Sequence, residues 1–205
     1  MNPIELPVTI ISHPIRMSRP KVNVVYQQVG RLANPVAQSR INLEIVKSLG
    51  SIMQELGYGN DNLQEMTGYF EIKTNERGVL SLLLSVYSFT GGAHGLTIAK
   101  GLTFDVHTGR LYRLDELFKP GSDYRERLSE EIARLIKDWD IDLLEPFECI
   151  TDDQDFYIAD HSLTVFFQLY ELTAYVYGFP YFPVPLKDLE PAIENNSLLS
   201  RLLPF

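Results

Sequence analysis

The chain has 205 residues, 45% of them hydrophobic and 22% charged, so a packed core is expected and a disordered chain is excluded. Its net charge of -9 is uneven: residues 1–100 carry nine Lys/Arg against seven Asp/Glu, and residues 101–205 carry nine against twenty. Phosphate backbones and anionic membranes need clustered Lys/Arg, so neither nucleic acid nor a membrane surface is an expected partner. An acidic half suits a basic partner, or is simply solvated.

In chain order, Leu6–Ser12 and Val22–Val29 read as strands, separated by a connection that includes Pro14 and Pro20. Asn34-Pro35 opens a helix, with Asn as N-cap and Pro in the first turn. Ile41, Ile45, Leu49, Ile52 and Leu56 form its apolar stripe, and Gly57 ends it. From Gly68 the period changes to two. Phe70 and Ile72, then Leu80, Leu82, Leu84 and Val86, then Leu102, Phe104 and Val106 define three strands of an antiparallel meander. Turns at Asn75–Gly78 and Gly91–Gly95 join them. Leu114–Phe118 is a short helical segment. Ser122 is placed to cap a second helix running to Trp139, with Leu128, Ile132, Leu135 and Trp139 as its buried stripe. Phe156–Ile158 and Leu163–Tyr170 read as strands, and a short helix starts at Pro185 or Leu186.

This order predicts an α+β fold, an antiparallel sheet with helices packed on it, in two closely associated subdomains: residues 1–65 and 66–205. The small first piece cannot bury its own helix face and is expected to share the sheet or core of the second. The single cysteine, Cys149, precludes an intrachain disulfide. Set among apolar residues and acids, it reads as a packing residue. The first eight residues lack the basic and apolar regions of an export signal. Gly78–Ala99 is uncharged, but its serines and glycines suit a strand and loop better than a membrane span. The expectation is a soluble chain, cytoplasmic by default.

No complete catalytic signature is present: no G-x-S-x-G, H-E-x-x-H, P-loop or G-x-G-x-x-G. Asp152–Asp155 begins like a calcium loop but lacks the central glycine, and Thr164 stands where the bidentate Glu belongs. Thr103–Val106 and His161–Thr164 imitate two metal motifs of polysaccharide deacetylases, yet Val106 and Val165 replace the second ligands. No cofactor or metal is therefore expected. The candidate site is instead a binding surface. His94 sits in Gly91-Gly92-Ala93-His94-Gly95, where glycines permit positive φ and close backbone approach. Tyr170, Glu171, Tyr175, Tyr177 and Tyr181 belong to an aromatic-rich stretch, whose rings offer contact area with a polar tip. A metal hydrolase using His94, His161, Asp105 or Asp160 is the enzymatic alternative, and a self-associating scaffold the third.

The same segments carry a resemblance. Tyr87-Ser-Phe-Thr-Gly-Gly-Ala-His-Gly95, Leu102–Gly109, Leu114–Phe118 and Phe166–Tyr175 with Gly178 resemble, in order, the motifs of the RsiV-like C-terminal domain family. Residues 6–70 look like the smaller PdaC/RsiV-type domain placed before it. The resemblance implies a non-catalytic bacterial module, extracytoplasmic in related members. One such member recognises lysozyme, and another precedes a separate peptidoglycan deacetylase domain. A basic, lysozyme-like protein or a peptidoglycan-type glycan is the ligand it implies. This chain carries neither a sigma-binding region nor a deacetylase domain.

Overall fold

Asn34 and Pro35 start the first helix, α1 (Pro35–Glu55), as the sequence requires. Asn34 Oδ1 accepts the otherwise unpaired N–H groups of Val36 and Ala37 at 3.1 and 3.2 Å. Its end is a Schellman turn. Gly57 lies at φ +87, its N–H donates to Gln54 O, and Tyr58 N–H donates to Met53 O. The computed structural model to which these elements belong describes residues 7–204. Leu6, the expected start of the first strand, and Phe205, the last residue of the tail, lie outside the described residues.

Two compact units divide the chain, one reaching Leu111 and the other starting at Tyr112. The expected seam at 65/66 falls inside the first unit, directly after Glu65, the first residue of the strand that follows α1. The first unit holds β1 (Thr9–Met17), β2 (Lys21–Gly30), α1, β3 (Glu65–Glu76), β4 (Val79–Phe89) and β5 (Leu96–Asp105). With the two-residue β6 (Leu111–Tyr112) at the boundary, these strands form one sheet in sequence order. The sheet is mixed rather than wholly antiparallel: β2 and β3 pair in parallel, Lys21–Val24 against Glu65–Gly68. A parallel pair needs a crossover, and the 21 residues of α1 supply it. The first helix thus shares its sheet with the meander, as its unburied stripe demanded.

The core of this unit lies between α1 and the sheet. Ile41, Ile45, Leu49 and Ile52 meet Val22, Val24, Met66, Leu80, Leu82, Leu84, Leu102 and Phe104, all buried. The opposite face of β4 is buried as well, where the Ser81 and Thr103 hydroxyls bond each other at 2.8 Å. The β3–β4 hairpin turns on Arg77 (φ 50) and Gly78 (φ 70), the two positive φ values that a type I′ turn requires.

Past Val24, β2 leaves β3, and two asparagines take the place of ladder partners. Asn42 of α1 accepts Val29 N–H at 2.7 Å and donates to Val29 O at 2.9 Å. Asn75 of β3 does the same for Val8, at 2.8 and 3.0 Å. Because Val29 spends its N–H and C=O on Asn42, the pair Ile10–Val29 is of the non-hydrogen-bonded kind. Register is unbroken from Thr9 to Met17, so Pro14–Val25 is such a pair too. Pro14 therefore removes no ladder bond, and β1 runs through it where a connection was expected. Gln27, fully buried on β2, finds no hydrogen-bond partner for either amide atom among the described residues.

In the second unit α2 (Tyr124–Asp138) buries Leu128, Ile132, Leu135 and Ile136. Asp123, not Ser122, is the N-cap residue. Its carboxylate pairs with Arg127 at 2.8 Å rather than capping a backbone N–H. Ser129 Oγ donates to Arg125 O and accepts Ile150 N–H, which pins the incoming acidic segment to α2. A second sheet, β7 (Phe156–Ala159), β8 (Ser162–Phe166) and β9 (Tyr181–Pro185), is antiparallel throughout. The strand expected to reach Tyr170 stops at Phe166. The proline-bearing β9 is an edge strand with Pro183 and Pro185 exposed, the placement a sheet tolerates. Leu186–Leu189 form the short α3. No helix among the described residues is long and apolar enough to cross a membrane.

Candidate functional site

The glycine loop between β4 and β5 serves two separate needs. Gly91 and Gly92 lie at φ +97 and +109 and reverse the chain. Gly95 is buried, and a Cβ there would fall inside the contact distance of the Ser88 carbonyl and the Tyr87 ring. The loop between them holds His94 at the surface, its Nδ1 2.9 Å from Gly95 O. His94 lines a groove of about 410 Å³ with Glu55, Asn60, Asn62, Ser88 and Thr90. Leu56 and Leu96 give it apolar wall, and beside them amide, hydroxyl and imidazole groups with one carboxylate can accept hydrogen bonds from, and donate them to, a ligand.

The remaining residues of the enzymatic alternative have structural duties. Asp105 Oδ1 accepts the Thr108 N–H and hydroxyl and holds the turn before β6. Asp160 (φ 50) occupies the β7–β8 turn, and His161 Nδ1 lies 2.6 Å from Leu202 O. His94 and Asp105 belong to the first unit, Asp160 and His161 to the second. Among the described residues, no three His, Cys, Asp or Glu side chains converge to hold a metal.

The aromatic stretch belongs to the second unit. Beyond β8 the chain turns at Gln168–Glu171, where Tyr170 takes φ 66 and Glu171 Oε2 accepts Gln168 N–H at 2.6 Å. Tyr175–Tyr177 is a single 3₁₀ turn closed by Gly178 (φ 70). So short a turn cannot face all three side chains inward. Val176 is 86% exposed and Tyr177 51%, and Tyr170, 48% exposed, sets its ring 5.5 Å from Tyr175. Tyr181 differs from them: half-buried on β9, it packs its ring on Phe166 and Tyr157. Tyr170, Tyr175 and Tyr177 thus gather on one short segment with Glu171. Gly92 and His94 lie in the other unit.

Partial burial of its carboxyl pushes Glu171 above the ordinary value of 4.5. The charges of Asp155 and Asp153 add to the shift, while hydrogen bonds from Gln168 and Gln154 oppose it. A raised folded-state value means that the folded chain holds this proton more tightly than the unfolded chain. Stability is then present at low pH and declines as pH rises from 4.5 through the raised value. Glu171→Gln is expected to melt above the native chain at pH 7, with the difference vanishing at pH 4. Melts at the two pH values check it, and equal melting at pH 7 counts against it.

Sequence reasoning misplaced Cys149. It is exposed, Arg125 donates to its sulfur at 3.4 Å, and it lines a groove of about 570 Å³ beside α2 with Arg125, Glu126, Ser129 and Glu148. The apolar neighbours Phe147 and Ile150 suggested packing, but the segment carrying them has no regular structure, so alternate residues are free to face water.

Comparison with known proteins matches each unit separately. Residues 17–97, in the first unit, match the family model described as "Deacetylase PdaC". Residues 115–187, in the second, match "Protein of unknown function (DUF3298)". No curated protein matches the chain. Two crystal structures share its fold. A DUF3298 family member from Bacteroides fragilis is 14% identical at a TM-score of 0.67, over 98% of this chain and 97% of that one. A DUF3298 family protein from Pseudomonas aeruginosa PAO1 is 15% identical at 0.64, over 100% and 98%. With a PdaC-type segment in one unit and a DUF3298 segment in the other, the chain matches an uncharacterised RsiV/PdaC-like family.

Proposed function

We propose that the chain is a non-catalytic binding module whose second unit recognises a basic protein surface of the lysozyme type. The observation that carries this reading is the exposure of Tyr170, Val176 and Tyr177, with half-buried Tyr175 between them, on a unit with eight Lys/Arg against nineteen Asp/Glu. Exposed tyrosines bury large area at low entropic cost, and the surrounding charge steers a cationic partner toward them. Glu171 and Tyr181 border the same surface. The groove at His94, beside the turn at Gly92, serves the first unit as a separate site.

Isothermal titration tests the reading with three probes: a basic lysozyme, the same lysozyme succinylated to reverse its charge, and soluble peptidoglycan fragments. Saturable heat is expected with the basic protein alone, weaker at high salt because exposed charges are screened. Tyr170→Ser with Tyr177→Ser is expected to weaken it about tenfold, the scale of a central aromatic contact. Heat with glycan fragments alone would move the assignment to the cell wall. Silence with all three would overturn it.

A further inference from the structure

One end of the first sheet is framed by two segments that touch at two points. The β1–β2 turn, residues 17–21, meets the α1–β3 loop, residues 58–64. Lys21 N–H donates to Gln64 O at 3.0 Å, and the Tyr58 hydroxyl donates to Met17 Sδ at 3.4 Å. Between the segments lies a groove of about 610 Å³. Its loop wall is fixed by backbone bonds: Tyr58 N–H donates to Met53 O, Asn60 N–H to Gly57 O, Leu63 N–H to Asn60 O and Gln64 N–H to Phe89 O. Loops positioned by a rigid scaffold in this way are where binding residues concentrate.

The side chains of this groove are far less engaged than its backbone. Arg19 stands on the turn and Asp61 on the loop, so a cation lines one wall and a carboxylate the other. The two are not joined, and neither has an ion-pair or hydrogen-bond partner among the described residues. The side-chain amides of Asn60 and Gln64, which also line it, are equally unengaged there. Lys21, the other cation of the groove, is taken by Glu65 at 2.7 Å. The Tyr58 hydroxyl gives its hydrogen to a thioether, a weak acceptor that a carboxylate oxygen would replace. Apolar surface lies alongside: Met17 and Tyr58 are exposed, and Leu63 is buried. Opposite charges held apart beside an apolar wall fit a ligand that carries both charges and an apolar body. A neutral sugar leaves both ions unanswered, and a lone cation or anion leaves one.

We propose that this groove binds a small zwitterion with an apolar side chain, a free amino acid or a short peptide. Its carboxylate meets Arg19, its ammonium meets Asp61, and its side chain lies against Met17, Tyr58 and Leu63. A guanidinium presents paired N–H donors to a carboxylate, and the amides of Asn60 and Gln64 serve the ligand's remaining polar groups. Asn60 alone is shared with the groove at His94. The site lies in the first unit and does not rest on the Tyr170–Tyr177 reading.

Backbone amide NMR shifts of the isotope-labelled full chain are followed during titration with leucine, N-acetyl-leucine, leucine amide and leucyl-leucine. Saturable shifts in residues 17–21 and 58–64 are expected with leucine in the millimolar range. Each capped form lacks one charge and is expected to bind about fivefold more weakly, the upper end for an exposed ion pair. Arg19→Gln is expected to weaken leucine about fivefold without weakening leucine amide. Asp61→Asn is expected to weaken leucine equally without weakening N-acetyl-leucine. Both positions are exposed, so both variants should melt with the native chain, which verifies that they fold. Tighter binding of leucyl-leucine assigns the groove to short peptides, and tighter binding of leucine to free amino acids. Shifts that saturate with neither overturn the proposal, as does equal binding of leucine and its capped forms. So do shifts confined to the groove at His94, or a leucine titration unchanged in both variants. Lysozyme binding is a separate measurement, so either assignment can fail without the other.

Discussion

Replacing Gly95 by alanine is expected to lower stability by about 3 kcal/mol, at the upper end of what overpacking costs. A Cβ at this position meets the Ser88 carbonyl and the Tyr87 ring, and Ser88 pairs with Leu96 at the start of the β4–β5 ladder. Backbone cannot step aside there without breaking the first rung. The tyrosine ring can rotate; the carbonyl cannot. Gly92→Ala supplies the contrast: nothing lies within 4 Å of its Cβ, so only the positive φ is penalised, by about 1 kcal/mol. Denaturant titrations of both variants measure the two costs, and equal losses would show that steric approach at Gly95 is unimportant. His94 stands immediately before Gly95, so the first variant should also disturb the groove.

Asn42→Leu is expected to cost a similar amount, about 3 kcal/mol, from a different cause. Leucine matches asparagine in size but leaves Val29 N–H and C=O unpaired, and each buried group so orphaned costs about 1–3 kcal/mol. Val29 is buried and lies beyond the end of the β2–β3 ladder, so no neighbouring strand replaces the lost partner. Asn42→Asp keeps an acceptor for the N–H and sets a second oxygen against the carbonyl, and should fall between. Urea midpoints read at constant slope report these losses. A loss below about 0.5 kcal/mol, the level of an ordinary surface substitution, would mean that water serves Val29 as well as the amide does.

How far the fold was legible depends on where its determinants lie along the chain. Asn34, Pro35, the Ile41–Leu56 stripe and Gly57 are local signals, and α1 follows them closely. The three meander strands are equally local, since alternation and short turns suffice. The parallel β2–β3 pair was not legible, because it is decided by the length of α1 and by burial against a sheet formed later in the chain. Pro14 read as a break yet lies in a strand, and Pro183 lies in a strand that was not expected. Whether a proline interrupts a ladder depends on which pairs are hydrogen-bonded, which only the register reveals. In the candidate site, Tyr170 is exposed because the strand expected to reach it stops at Phe166, and Tyr177 because it lies on a single 3₁₀ turn, while Tyr181 was drawn inward by β9, a strand hidden behind its prolines. His94 and the tyrosines share one composition-level signature, exposed polar aromatics beside glycine. Composition carries no information about which unit each joins. Trp139 reads as core at helical spacing, but the helix stops beneath it and leaves it 49% exposed, and spacing alone says nothing about what covers a final turn.

The position of Pro14 has a further consequence. β1 is nine residues long and forms the outer member of its sheet, a shape that invites a second chain to add a strand. The backbone groups it turns away from β2 are those of Ile10, Ser12, Pro14 and Arg16, and at the middle of that row the proline has no hydrogen to give. An incoming strand would find its pairing interrupted at the centre and a cationic side chain at one end. The residue that leaves the internal ladder intact is thereby the one that spoils the external one, protecting a concentrated solution of this protein from growing sheet upon sheet.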